Sequence, residues 1–156
     1  MGRFSGQNDI CTGTPLAGRD QQELEGLIGH FINTVIIRAQ FDDQMQFAEL
    51  VAQMNDKVLG AMDHQDIAFE KVVEAVNPKR SASYSPLFQT MLIFQNMPVG
   101  EQTNGALNIA PMETDSATAK YDITIELFEN QDNFQLGFEY NSDLFDQSTI
   151  ESMAQA

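Results

Sequence analysis

Residues 121–140 constrain the fold more than any other stretch. Tyr121, Ile123, Ile125 and Leu127 fall on one side of an extended segment, and Asp122, Thr124, Glu126 and Phe128 on the other. After a polar break at 130–133, Phe134, Leu136, Phe138 and Tyr140 alternate with Gln135, Gly137 and Glu139. Successive side chains of a strand point to opposite faces, so two such runs around a turn predict an antiparallel hairpin. A chain built on that hairpin must fold around a sheet, and the remaining sequence has to cover it.

Helical periodicity supplies the cover. From Asp42-Asp43 onward, Phe47, Leu50, Val51, Met54, Val58 and Met62 recur at the spacing of one helix face, with Glu49, Asn55, Asp56 and Lys57 opposite. Burial of that face is expected to contribute several kcal/mol, at about 1.5–3 per large apolar side chain. Its methionines read as gap-filling core. A second helix is predicted over 66–76, starting near Asp63 or His64, with Asp66 as N-cap or in the first turn. Ile67, Val72, Val73 and Val76 form its apolar side, and Pro78 ends it at Asn77. A third is predicted over 20–28, with Leu24, Leu27 and Ile28 inward and Gly29 at its end.

The β-branched run Val35-Ile36-Ile37 predicts a strand within 31–41. Residues 87–94 are apolar on both sides, which predicts a central strand covered on both faces. Shorter strands are expected at 10–12 and 107–109. Gly13, Pro15 and Gly18 predict a surface loop for the remainder of 4–19. Residues 96–104 read as an exposed loop and 112–119 as a mobile loop or extended arm. Asp146 reads as the N-cap of a last helix beginning at Ser148. Together these elements predict an α/β (α+β) two-layer sandwich: a mixed, mostly antiparallel sheet with helices on one face. Residues 1–156 are expected to form a single domain.

Composition narrows the function. The 156 residues carry a formal charge of −15, spread along the chain. Such a surface repels phosphate backbones and anionic headgroups, so neither nucleic acid nor a membrane is an expected partner. No apolar run is long enough to cross a bilayer, and the first ten residues lack a signal-peptide core. Cys11 is the single cysteine, which excludes an internal disulfide and fits a cytoplasmic setting. It reads as a structural thiol. One Cys and two separated His, His30 and His64, do not make a metal site. No phosphate-loop, dinucleotide or nucleophile-elbow pattern occurs. Met1-Gly2-Arg3 reads as a cloning remnant.

Candidate site residues cluster at element joints. His64-Gln65-Asp66 stands at the mouth of the 66–76 helix. Either His64 and Asp66 stabilise the helix start, or they line a site where Asp66 would fix the tautomer of His64. Asn33, at a strand entrance, either bonds a turn or faces a cleft. His30, between apolar neighbours, reads as structural. Arg19 caps a turn in the simplest reading.

Several of these segments resemble one family. HQDIAFE (64–70) is similar to the HQDxPFE motif of condensation domains of nonribosomal peptide synthetases. Residues 80–89, RSASYSPLFQ, resemble that family's RDxSRNPLFQ. Residues 5–19 resemble SGQxDIxxGTPxAGR, and 25–38 resemble EGLIGxFxNTxxLR. Lys120-Tyr121-Asp122-Ile123 is similar to KFDL, and 139–146 to EYNxDLFD. Departures stand at Ala68 (usually Pro), Ser81 (Asp), Tyr84 (Arg) and Ser85 (Asn).

The resemblance implies the C-terminal lobe of a V-shaped, two-lobed domain, each lobe like chloramphenicol acetyltransferase. It implies formation of an amide between thioesters held on the phosphopantetheine arms of carrier proteins, with no cofactor bound directly by this lobe. The implied partners are the N-terminal lobe, peptidyl carrier proteins and an adjacent adenylation domain. The family's HHxxxDG signature belongs to the N-terminal lobe and is absent here, so no catalytic residue is expected in this chain. Arg19, Asn33, His64 and Asp66 become supporting candidates, with Arg19 facing the lobe junction or tunnel. The resemblance also implies an arm between the later strands that reaches the other lobe. The isolated lobe is expected to be inactive and prone to homo-oligomerise, by apolar contact or by swapping residues 97–119. A non-enzymatic interaction module is the alternative, and an acyltransferase borrowing a residue from a neighbouring protomer is a third.

Overall fold

The computed structural model describes residues 1–19, 21–79, 81, 83–95, 102–104, 107–109, 118–129 and 133–155. In order, the elements are α1 (Gly2–Ser5), β1 (Asp9–Leu16), α2 (Gln22–Glu25), β2 (Asn33–Gln40), α3 (Phe47–Met62), α4 (Phe69–Val76), β3 (Thr90–Gln95), β4 (Gln102–Asn104), β5 (Leu107–Ile109), β6 (Ile123–Glu129), β7 (Phe134–Tyr140) and α5 (Gln147–Gln155). Five strands form one sheet in the order β2-β1-β3-β6-β7, and β4-β5 form a separate antiparallel pair. β1–β2 and β6–β7 are antiparallel, while β1–β3 and β3–β6 are parallel. The sheet is mixed, as expected, with its four pairings divided evenly between antiparallel and parallel, and the anticipated hairpin pairs Ile123 with Tyr140 through to Glu129 with Phe134. Its turn, 130–132, lies outside the described residues.

The expected loop at 4–19 is replaced for the most part by β1, which runs through Gly13 and Pro15. Gly13 is tolerated because the ring of Phe88 occupies the space a side chain would need. Pro15 is tolerated because β3 pairs only with Thr12 and Gly13, so beyond them β1 has one partner and an open side needing no N–H. Residues 2–5, part of them read as a remnant, form α1.

The helix expected over 20–28 shrinks to α2. Gly26 follows it immediately, and Leu27 and Ile28 are exposed rather than buried. α4 starts at Phe69 with Ala68 at its N-cap, so Asp66 is neither N-cap nor first-turn residue; 63–66 form a turn leaving α3. The other end agrees with expectation: Asn77 adopts a left-handed conformation (φ 48°) and donates to the Val73 carbonyl before Pro78.

α3 begins five residues after Asp42, at Phe47. The Asp42 carboxylate first closes a turn by accepting from the backbone of Gln44 and Met45, and Glu49 accepts from the Gln46 N–H at the helix start. Its apolar side is not buried as expected. Phe47 is 79% exposed, and Val51, Val58 and Met62 are exposed as well. In α4, Val73 is buried, but Ile67 just before the helix and Val76 at its end are exposed.

β3 is the central strand but starts at Thr90, since the chain bends at Pro86, Leu87 and Gln89 before it. It is not covered on both faces. Met91 is buried on the side shared with Gly13 and Thr124, whereas Leu92 and Phe94 are exposed on the other. The loop expected at 96–104 contains β4 at its end, and β5 matches the short strand expected there. Residues 96–101 and 110–117, the latter most of the anticipated arm, lie outside the described residues.

The core centres on Phe88, which is 1% exposed and packs against Phe69 and Tyr121, with ring centroids 5.7 and 5.3 Å away. Ile37, Val73, Met91, Ile123 and Ile150 complete the buried apolar set among the described residues. Complete burial of a ring such as Phe88 contributes about 1.5–3 kcal/mol.

Candidate functional site

A cleft of about 970 Å³ opens where the ends of β2, α4 and the segments before β3 and β6 meet. Its walls include Asn33 and Thr34 at the start of β2, Gln65 and Asp66 in the turn before α4, Phe69 and Glu70 in its first turn, and Lys120 and Tyr121 before β6. The ring of Phe88 forms part of it, so the central packing residue also faces the cleft. A smaller hollow of about 380 Å³ lies beside it, between Phe69, Glu70 and Val73 of α4 and Ser81 and Pro86.

The cleft sets the rings of Phe31, Phe69, Phe88 and Tyr121 among more numerous polar and charged residues, including His30, Asn33, Thr34, Gln65, Asp66, Glu70, Ser85 and Lys120, so a ligand there would meet hydrogen-bonding groups as well as rings. Lys120 lies over the Tyr121 ring, its Nζ 5.4 Å from the centroid. Asp66 and Glu70 also line the cleft and bring negative charge to it. Among the described residues, no group of three or more His, Cys, Asp or Glu is placed to hold a metal ion, and no helix is long and apolar enough to cross a membrane.

Of the residues singled out from sequence, Asn33 and Asp66 line this cleft and Arg19 and His64 do not. Asn33 spans the most sequence. Its Nδ2 donates to the carbonyls of Gln65 (2.6 Å) and Ile67 (2.8 Å), and its Oδ1 accepts from the backbone of Thr34 (2.9 Å) and Phe69 (3.2 Å). His64 is exposed and its Nδ1 lies 2.8 Å from the Gly60 carbonyl, at the end of α3. No ion pair joins it to Asp66 among the described residues.

Arg19 stands behind the wall. Its guanidinium donates to the carbonyls of Leu24 and Leu27 and lies 4.3 Å from the centre of the Phe31 ring. Gly18 before it has φ +61°, and a side chain there would collide with the Phe31 carbonyl. The pair Gly18-Arg19 thus fastens the segment leading into β2. His30 is exposed at the rim of the cleft rather than packed between its apolar neighbours.

Sequence reading missed Phe69, Phe88, Lys120 and Tyr121 as cleft residues. Each lies in a motif quoted above, but periodicity assigns the rings to helix and strand interiors and carries no sign that they converge.

The condensation domain family model matches residues 1–156. The chain belongs to that family. This condensation-domain chain is 44% identical over 155 residues to a linear gramicidin synthase from Brevibacillus parabrevis, covering 98% of the chain and 2% of the relative. It is 37% identical over 153 residues to a surfactin synthase from Bacillus subtilis (strain 168), covering 98% of the chain and 4% of that protein. The chain therefore spans only a few per cent of these relatives. Among solved structures, it is similar to a four-domain nonribosomal peptide synthetase bound to AMP and glycine, with a TM-score of 0.87 and 28% identity over 99% of this chain and 13% of that one. It also resembles the X-domain from teicoplanin biosynthesis, with a TM-score of 0.84 and 25% identity over 98% of this chain and 36% of that one. Five of the six motifs that carry the family resemblance supply the walls of the cleft; the sixth, at 139–146, supplies none.

Proposed function

We propose that this chain is the C-terminal lobe of a nonribosomal peptide synthetase condensation domain. It takes part in joining an upstream aminoacyl or peptidyl thioester to the amine of a downstream aminoacyl thioester. The reacting amine attacks the thioester carbonyl; a C–N bond forms, the C–S bond breaks, and the thiol of the upstream carrier leaves. One proton must pass from the amine, and a positioned histidine typically contributes about 10²–10⁴-fold to such a step. That group belongs to the HHxxxDG signature, which no histidine of this chain matches. His30 is followed by Phe-Ile-Asn-Thr and His64 by Gln-Asp-Ile-Ala.

This lobe supplies scaffold, tunnel wall and docking surface, and is inactive by itself. Its partners are the N-terminal lobe, the phosphopantetheine-bearing carrier proteins that deliver both substrates, and a neighbouring adenylation domain, in the cytoplasm. The observation that carries this reading is convergence: Gly18, Asn33, Asp66, Ser85 and Lys120, each from a different family motif, line one cleft. Two loaded carrier proteins mixed with the chain should yield no dipeptidyl thioester by mass spectrometry above the uncatalysed background. The same mixture with the intact condensation domain should yield it, and absence of product from the intact domain would refute the reading.

One observation favours a second reading, a binding module. The teicoplanin X-domain, to which this chain is similar, has been solved in complex with OxyB. Measured with the intact domain, partner binding without dipeptide formation would favour that reading over catalysis.

A further inference from the structure

We propose that Asn33 is a positioning residue that sets the Gln65–Asp66 wall of the cleft through the backbone and does not itself touch substrate. The inference rests on reading the cleft as part of a condensation site. A carboxamide offers two N–H donors and an oxygen with two lone pairs. In Asn33 all four are engaged, by the Gln65 and Ile67 carbonyls on one side and the Thr34 and Phe69 amides on the other. Nothing is left over for a ligand.

The orientation of the amide is fixed by its partners. Turning it over would set its oxygen against two carbonyls and its N–H groups against two N–H donors. Thr34, the next residue on β2, locks the oxygen, so the side chain is tied to the strand before it reaches the turn. Across the gap, Phe69 begins α4, and its N–H has no acceptor within the helix. Ala68 at the N-cap has no side-chain oxygen to offer. Asn33, 36 residues earlier in the chain, supplies it instead.

In the turn from Gln65 to Ala68, Gln65 donates to the Met62 carbonyl and Ile67 to that of His64, and the Ala68 carbonyl accepts from Lys71 and Val72 of α4. The Gln65 and Ile67 carbonyls are held by Asn33, so the amide sets where the Gln65 and Asp66 side chains stand in the wall. It ties β2 to the mouth of α4 within the wall of the cleft. An aspartate of the same shape would present oxygen to both carbonyls, leaving them without a donor.

The test uses the intact condensation domain with Asn33→Asp, Asn33→Ala and the milder Asn33→Ser. Hydrogen exchange over 65–72 and kcat/KM for dipeptidyl thioester formation are measured in each, and kcat/KM also in a Gln65→Ala/Asp66→Ala background. Loss of the clamp in Asn33→Ala, which removes the acceptor that an aspartate would keep, should speed exchange of the Phe69 amide about 10-fold or more, the size expected for an unmade part-buried bond. It should lower kcat/KM about 10-fold or more in the native background but leave it nearly unchanged in the doubly substituted one, where the side chains being positioned are gone. Unchanged exchange at Phe69 in all three variants would overturn the clamp. An equal loss of kcat/KM in both backgrounds would overturn positioning. Should the unsubstituted domain make no dipeptide, the condensation reading fails, and the exchange measurement alone decides whether the clamp exists.

Discussion

Gly13 of β1 lies directly against the ring of Phe88. A Cβ added at Gly13 would stand 2.4 Å from Phe88 Cε2 and 2.5 Å from Cζ. Phe88 is 1% exposed and held between Phe69 and Tyr121, so its ring has little room to retreat. Gly13→Ala should therefore destabilise the chain by about 1–3 kcal/mol, the usual cost of an overpacked core. Urea unfolding midpoints compared at unchanged m-value measure this. A neutral result would mean that the ring can swing into the cleft.

Ala68 stands where the family pattern has proline. Its φ of −57° lies within the range a proline ring imposes, and it is the N-cap of α4, outside the helical ladder. Ala68→Pro should raise stability by about 0.4–1 kcal/mol, because the unfolded chain loses freedom that the folded chain has already given up. Thermal melts of the two proteins provide the comparison, and a lower melting temperature for the proline variant would show that the bend at Ile67 cannot accept it.

Asp9 and Arg38 form a bidentate pair across the β1–β2 ladder, at 2.8 and 2.6 Å, and Gln40 adds a further donor. The Arg38 hydrogen bonds hold the Asp9 carboxyl below its ordinary value of 3.8. A depressed carboxylate stabilises the fold fully above that value, where both states are ionised. Below 3.8 the unfolded chain takes up its proton first, so the contribution fades and is lost as pH falls through the folded value. Melting temperatures of the native chain and Asp9→Asn should therefore differ more at pH 6 than at pH 3. Both side chains are about half exposed, so the difference should shrink in high salt.

Exposed apolar residues predict self-association of the isolated chain. Phe47, Val51, Leu59 and Met62 stand out on α3. Leu92, Phe94, Phe134 and Leu136 share one face of the sheet by register and are exposed together. Light scattering should find a dimer or larger species, and Phe94→Ser/Leu136→Ser should shift it toward monomer. A native chain that stays monomeric at high concentration would contradict this.

The sequence alone determined what depends on neighbouring residues. Strict alternation from Ile123 to Tyr140 fixed the β6–β7 hairpin, because a strand's two faces are written into its period. Asn77-Pro78 fixed the end of α4, because proline restricts the residue before it. The motifs around Gly18, Asn33, Asp66 and Lys120 carried the family. Only the tertiary structure decided that β1 continues through Gly13 and Pro15, since Phe88 and a one-sided ladder remove the usual penalties of both residues. It also decided that β3 lies between β1 and β6, that α4 starts beyond Asp66, and that the apolar stripe of α3 stays largely exposed. The start of α4 is bonded by Asn33, a residue far away in the chain. Contacts between distant segments leave no period in the sequence, so the cleft became visible only when the chain was folded.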